Sequence, residues 1–238
     1  METRVTEIAD GVHQLSSEVP GAPVVFNQYL ITADEPFLFH TGLRAIFPAV
    51  VEGAGRVLAP DGIRWIGYGH YEADECGAMG EWLARAPLAA VVQGVVGTLV
   101  SAADLSDRAP HPLGDGEKLD VGGHVLQWFD TPHTPHGWDA GVVYDATTRT
   151  LLCGDLFTRL GPFDATSTGD VVGPAIHAED TLGGSLSLNP TSGATVRRLA
   201  DLDIETLALM HGPAFTGDCS AALRDLADDF DRRTAALG

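Results

Sequence analysis

The stretch His70-Tyr71-Glu72-Ala73-Asp74-Glu75 constrains this chain more than any other. It places a histidine and three carboxylates within six residues. It follows an apolar run (Ile63, Trp65, Ile66) and a Gly67-Tyr68-Gly69 turn. It precedes Met79, Trp82 and Leu83 at helical spacing. A loop from strand to helix is where a rigid scaffold presents functional side chains. In an extended loop alternate side chains point the same way, so His70, Glu72 and Asp74 share one side. One imidazole and two carboxylates suit a divalent metal such as iron, manganese or zinc. The same acidic residues also suit a helix start, where the dipole favours Asp and Glu. That reading accounts for Asp74 and Glu75 and leaves His70 and Glu72 unexplained.

Composition narrows the classes. The 238 residues are 45% hydrophobic, enough for a sizeable core in one large domain or two small ones. Net charge is −19, and Lys118 is the sole lysine among 14 basic residues. Such a chain repels phosphate backbones and anionic lipid, which argues against nucleic acid and membrane partners. Most of the charge reads as a solvated surface. Cys76, Cys153 and Cys219 are too few and odd in number for a disulfide framework. The N-terminus has no apolar leader, and no apolar run is long enough to span a bilayer. The expectation is a cytoplasmic, reduced protein.

Taken in order, residues 4–15 read as a β element broken at Asp10-Gly11. Residues 24–32 and 36–40 read as a hairpin, and 43–56 as a helix. Strand 63–68 leads into the acidic loop and a helix to about Arg85. A strand at 88–92, a helix at 98–105 and a Pro- and His-containing loop at 109–112 follow. Hairpins are expected at 117–120 with 123–129, and at 140–144 with 150–153, separated by a His-rich loop, 130–139. Residues 158–190 show little periodicity and read as a long irregular loop, of a length usually kept for lids or pocket walls. A helix at 191–202, a strand at 205–210 and an amphipathic helix at 221–237, with Leu223, Leu226, Phe230 and Leu237 on one face, close the chain. No stretch looks like a linker. The pattern is one α/β domain over 1–238, with sheets inside and helices outside.

Four apolar strands end in candidate ligands: His70, His133 or His136, Asp155, and His211. Strand ends on one edge of a sheet converge on a common site. That convergence favours the metal reading of the opening loop.

The order His70-x-Glu72-x-Asp74, His136, Asp155, His211 resembles the metallo-β-lactamase fold, and more closely the diiron domain of the flavodiiron proteins. Hydrolases of this fold carry H-x-H-x-D-H, and the flavodiiron branch has Glu where Glu72 stands. His136-Gly137-Trp138-Asp139, the 19-residue step to Asp155, Gly154-Asp155-Leu156-Phe157 and Met210-His211-Gly212 fit the same branch. The resemblance covers about residues 5–235. It implies an αββα sandwich of two mixed β-sheets with helices on the outer faces. It implies that His70, Glu72 and His136 bind a first metal, that Asp74 and His211 bind a second, and that Asp155 bridges them. His133 stays open as an alternative to His136. Glu75 stands where the family commonly has histidine and could add a carboxylate to the second metal. His40 stands where the fold usually has Asp, either orienting the ligand loop or as a satisfied strand-end histidine. Cys76 reads as a small buried apolar side chain.

The implied cofactor is two iron ions, with manganese or zinc possible in the isolated protein, and no flavin in this chain, since the flavodoxin-like domain of the family is not in the sequence. The implied activity is binding and reduction of O2, nitric oxide or peroxide with electrons from a separate donor, or O2 sensing. Tyr71 and His177 are candidates to line the catalytic pocket. A binuclear hydrolase of thioesters, lactones or phosphoesters is the competing enzyme class, and a non-catalytic metal-binding module is a third. Flavodiiron proteins pair head to tail to bring flavin to iron. Without that domain the reason for pairing goes, and a homodimer stays open.

Overall fold

In a computed structural model describing residues 1–237, the chain forms two seven-stranded mixed sheets. The first runs β1 (Thr3–Ala9), β2 (Val12–Glu18), β3 (Val25–Ile31), β4 (Phe37–Phe39), β5 (Trp65–Gly67), β6 (Ala90–Gly94) and β7 (His111–Leu113), in chain order. β1 to β4 are antiparallel and β4 to β7 parallel. The second sheet holds β8 (Lys118–Asp120), β9 (Val125–Asp130), β10 (Gly141–Asp145), β11 (Thr150–Leu152), β12 (Thr166–Ser167), β13 (Thr206–Ala208) and β14 (Ala214–Phe215), in the order β12-β14-β13-β11-β10-β9-β8.

Both faces of each sheet are covered, which is why these strands read as continuous apolar runs. Tyr29, Ile31, Phe37 and Phe39 meet Leu126, Trp128, Val143 and Leu152 of the second sheet. The intervening Leu30 and Leu38 point the other way, to Val50, Trp82 and Leu83. On the second sheet Leu151, Leu207 and Leu209 pack outward against Val196, Leu223 and Phe230. Burying a side chain such as Phe39 contributes about 1.5–3 kcal/mol relative to exposure.

The helices are α1 (Phe47–Ala54), α2 (Ala73–Cys76), α3 (Met79–Arg85), α4 (Val95–Gly97), α5 (Ala103–Leu105), α6 (Val172–Leu182), α7 (Ser192–Leu199) and α8 (Cys219–Ala236). α1 and α3 cover the first sheet, and α6, α7 and α8 the second. The architecture is the αββα sandwich that the resemblance implied. Among the described residues no helix is long and apolar enough to cross a membrane.

Four expectations need correction. Residues 158–190 are not uniformly irregular, for they contain β12 and the eleven-residue α6. Gly173 and Pro174 obscure the helical pattern, yet Pro is tolerated in a first turn. Asp170 Oδ1 accepts the N–H groups of Val172 and Gly173 and starts the helix. Residues 109–112 include the edge strand β7, where Pro112 is permitted because it sits at the rim of the sheet. The helix after Glu72 is two pieces, α2 and α3. α8 starts at Cys219, capped by Asp218 Oδ1 on Ala221 N–H (2.9 Å), and leaves Leu237 exposed.

Candidate metal centre

The loops after β5, β9, β11 and β13 meet at one edge of the sandwich. His70, Glu72, His136 and Asp155 each present a ligand atom there, all within 4.8 Å of one another. Glu72 Oε2 lies 3.0 Å from His70 Nε2 and 3.0 Å from His136 Nε2. Asp155 Oδ2 faces the same two histidines, at 3.7 and 3.3 Å. Its other oxygen, Oδ1, faces His211 Nε2 at 3.3 Å, and Asp74 Oδ2 lies 3.2 Å from that nitrogen. One Asp155 oxygen therefore serves each half of the cluster. Oδ1 is buried without a hydrogen-bond partner, although buried carboxylate oxygens are normally paired. An acceptor left over among three imidazole nitrogens and three carboxylates fits a pair of divalent cations.

The loops are held by their neighbours. Gly69 O accepts Gly141 N–H at 3.0 Å, tying the first sheet to the second just before His70. A Cβ on Gly69 would lie 2.9 Å from Glu75 Oε2. A Cβ on Gly137, at φ +77°, would lie 3.1 Å from His70 Cβ, so both the conformation and the space favour glycine. Asp139 Oδ2 accepts Tyr71 N–H at 3.0 Å and joins the two ligand loops.

The histidines are aimed by what their other nitrogens meet. Val25 O, which can only accept, lies 2.9 Å from His211 Nδ1, so Nδ1 carries the proton and Nε2 offers the lone pair. The backbone on both sides of His211 is gripped by Tyr29 Oη–H on Leu209 O (2.5 Å) and by Asn27 Nδ2–H on Leu209 O and Gly212 O (2.8 Å each). His70 Nδ1 faces Glu75 Oε1 at 3.1 Å, and Glu75 Oε2 accepts His70 N–H at 2.7 Å. Glu75 is fully buried and acts on the back of His70, correcting the expectation that it adds a carboxylate to the second metal. His40 is also fully buried, with φ +65°, its ring tilted 37° against Phe39 and Nε2 at 3.6 Å from Glu75 Oε1. Neither ring nitrogen is hydrogen-bonded, so His40 is not a satisfied strand-end histidine.

In the metal-free chain the donors charge one another. Burial opposes a charged His70, yet Glu75 and Glu72 raise it to about 12. Burial likewise opposes a charged His211, and Asp155 and Asp74 raise it to about 10. Hydrogen bonds from His136 and His70 draw Glu72 down to about 2. His136 is raised, chiefly by Glu72. Burial lowers His40. Burial pushes the Cys76 thiol up to about 12, and Sγ–H donates to Glu72 O, so this cysteine is a buried neutral side chain.

His133 is exposed, at φ +60°, and lines an outer cavity instead of the cluster. Tyr71 and His177, expected in the pocket, do not line it. Alternation in the loop sends Tyr71 to the side opposite His70 and Glu72, where it is 57% exposed beside Cys76, Met79 and Leu105. His177 is exposed on α6, two residues from the pocket-lining Glu179 and so on the other face of the helix. Sequence reasoning missed Glu179, Asn27 and Tyr29. Asn27 carried a usable signal, a polar amide inside an apolar strand, which when buried must find partners.

The chain is similar to known proteins over most of its length. It is 26% identical over 197 residues to "Putative diflavin flavoprotein A 1" of Nostoc sp. (strain PCC 7120 / SAG 25.82 / UTEX 2576), covering 79% of this chain and 33% of that protein. Rubredoxin oxygen:oxidoreductase from the anaerobe Desulfovibrio gigas superposes with a TM-score of 0.79 at 18% identity, over 98% of this chain and 62% of that one. A metal-soaked Flv1 flavodiiron core from Synechocystis sp. PCC6803 gives 0.79 at 21% identity, over 98% and 61%. A flavoprotein from Thermotoga maritima gives 0.82 at 16%, over 96% and 61%. This chain thus spans a third of the curated relative and about three fifths of those structures. The model of the ODP family of beta lactamases matches residues 24–212, a span that contains all six candidate ligands, and the chain belongs to that family.

Proposed function

We propose that this chain holds two iron ions and reduces O2, or a related small oxidant such as nitric oxide or peroxide, with electrons from a separate donor. His70, Glu72 and His136 would hold the first iron and Asp74 and His211 the second, with Asp155 placed between the two. The observation that carries the reading is Glu72 Oε2, shared at 3.0 Å between His70 and His136. A carboxylate in place of a third imidazole makes the first site harder and more anionic than a zinc hydrolase site, which favours iron. When bound, two irons would supply the redox chemistry.

The chain's own residues do the remainder. Glu75 and the Val25 carbonyl orient His70 and His211 through their Nδ1 atoms. Pro23, Val24, Pro135 and Leu182 line the pocket of about 210 Å³ over the cluster, which is roomy enough to admit a diatomic together with water. Names of relatives support the same reading, since one similar structure is an oxygen:oxidoreductase and another a flavodiiron core.

The test is metal analysis with anaerobic reduction and O2 re-addition on one sample. About two irons per chain, an absorption that bleaches on reduction, and O2 consumption by the reduced form are expected. Zinc at full occupancy with hydrolysis of an ester or phosphodiester panel would falsify the reading. Glu72→His sharpens the test: iron preference and O2 consumption should both fall. Unchanged iron binding and turnover would remove Glu72 as their cause.

A further inference from the structure

Reducing oxygen requires a proton for each electron, and the donor set leaves few groups able to deliver one. Six ionisable residues line the inner pocket, and five of them are candidate ligands, whose lone pairs are committed to metal. The sixth is Glu179 of α6. It also lines the adjoining outer cavity of about 720 Å³, with His133, Ser187, Asn189 and Arg233. Glu179 is the residue common to the linings of both spaces.

We propose that Glu179 relays protons from the outer cavity into the metal pocket, an inference that rests on the reductase reading above. The carboxyl group is half-buried, and its Oε2 accepts Ser185 Oγ–H at 2.5 Å, which fixes its direction. Ser185 itself lines the inner pocket. Arg233, across the outer cavity, is already committed, with Nε on Asp229 (2.6 Å) and Nη2 on Asp180 (2.8 Å). Burial raises the Glu179 carboxyl above the ordinary carboxylate range, against the opposing effects of Ser185, Arg233 and His136. A general acid works best when its pKa lies near the working pH. In the transfer, the Glu179 O–H bond breaks and its electron pair stays on the carboxylate. The proton joins a substrate oxygen that the separate donor's electron has reduced. A hydronium ion in the outer cavity then returns a proton to the carboxylate.

Glu179→Gln keeps size and polarity and removes the acid. The expected result is O2 consumption down ~10²-fold, with iron content unchanged. Glu179→Ala should be partly rescued by formate, in proportion to its acid form. A second readout needs no iron: 13C NMR of the metal-free chain labelled at glutamate carboxyls. One resonance, absent from Glu179→Gln, should titrate above the ordinary value and move in Ser185→Ala. Wild-type turnover in Glu179→Gln overturns the relay and leaves the diiron reading standing. Slow turnover without formate rescue and with an ordinary titration shows a packing role and also overturns it. A reduced, iron-loaded wild type that consumes no O2 overturns both.

Discussion

The two halves of the candidate metal cluster both combine imidazole with carboxylate and are held in different ways. His70, Glu72 and His136 come from loops and lean on each other, and the Glu72 and His136 side chains are 49% and 28% exposed. His136 Nδ1 has no partner behind it. His211 and Asp74 are 7% and 15% exposed, and His211 is fixed by backbone carbonyl contacts that reach into β3. The second half is therefore set by the sandwich before any metal arrives. In the first half only His70 is held in advance, by Glu75, and on the proposed reading metal would draw in the more exposed Glu72 and His136. Donors already in place lose less freedom on binding, so the second site should fill first.

Asp155→Ala breaks the comparison most completely, because it removes the one group common to both halves. Elemental analysis after loading should find both metals lost, from about two per chain to almost none. Retention of one metal would show that the halves bind independently and that Asp155 does not bridge.

A smaller effect appears without metal, as a change of stability with pH. His70 and His211 are raised to about 12 and about 10 in the folded metal-free chain, against about 6.5 for an ordinary imidazole. The folded state holds protons that the unfolded chain has released, so this stabilisation is complete below about pH 6.5 and is lost as pH rises through 10 and then 12. Glu72, lowered to about 2, works in the opposite sense. Its contribution is present above about pH 4.3, the ordinary glutamate value, and disappears as pH falls towards 2. Urea midpoints of the chelated chain should fall between pH 7 and pH 10, while those of the loaded chain stay level. Metal affinity should weaken on acidification, since the imidazoles must first lose their protons. A chelated chain with a flat profile over that range would show that the donors are not paired as drawn.

The difference between the halves also explains what the sequence could show. The six candidate ligands lie in the segments that follow four strands, where chain order and an apolar run announce them, and the hairpins read well because alternation and turn residues are local. Support from behind is not local. Glu75 sits one residue past the H-x-E-x-D triplet and reads as another ligand. Only the packing of α2 against His40 and His70 turns it inward. Tyr71 and His177 suit a pocket by residue type, but each lies on the face of its own element that turns away from the cluster. Glu179 lay in a stretch whose Gly, Pro and Thr content hid the helix that presents it.

The smallest predicted effect tests the claim that the second half is set in advance. Asn27 Nδ2 donates to Leu209 O and Gly212 O on either side of His211, while its own Oδ1 has no partner. Asn27→Ala removes both bonds without touching a ligand. Tyr29 still holds Leu209 O, and Val25 still orients the ring. Losing a group that positions a ligand costs 10–100-fold in metal affinity, and one further contact removed places this variant near the lower bound, at about 10-fold. The loss should fall on the second metal alone. Stepwise titration of the metal-free variant should then show its first binding step weakened and its second little changed. A loss shared equally by both steps would mean that the halves are coupled through Asp155 more strongly than their separate supports suggest.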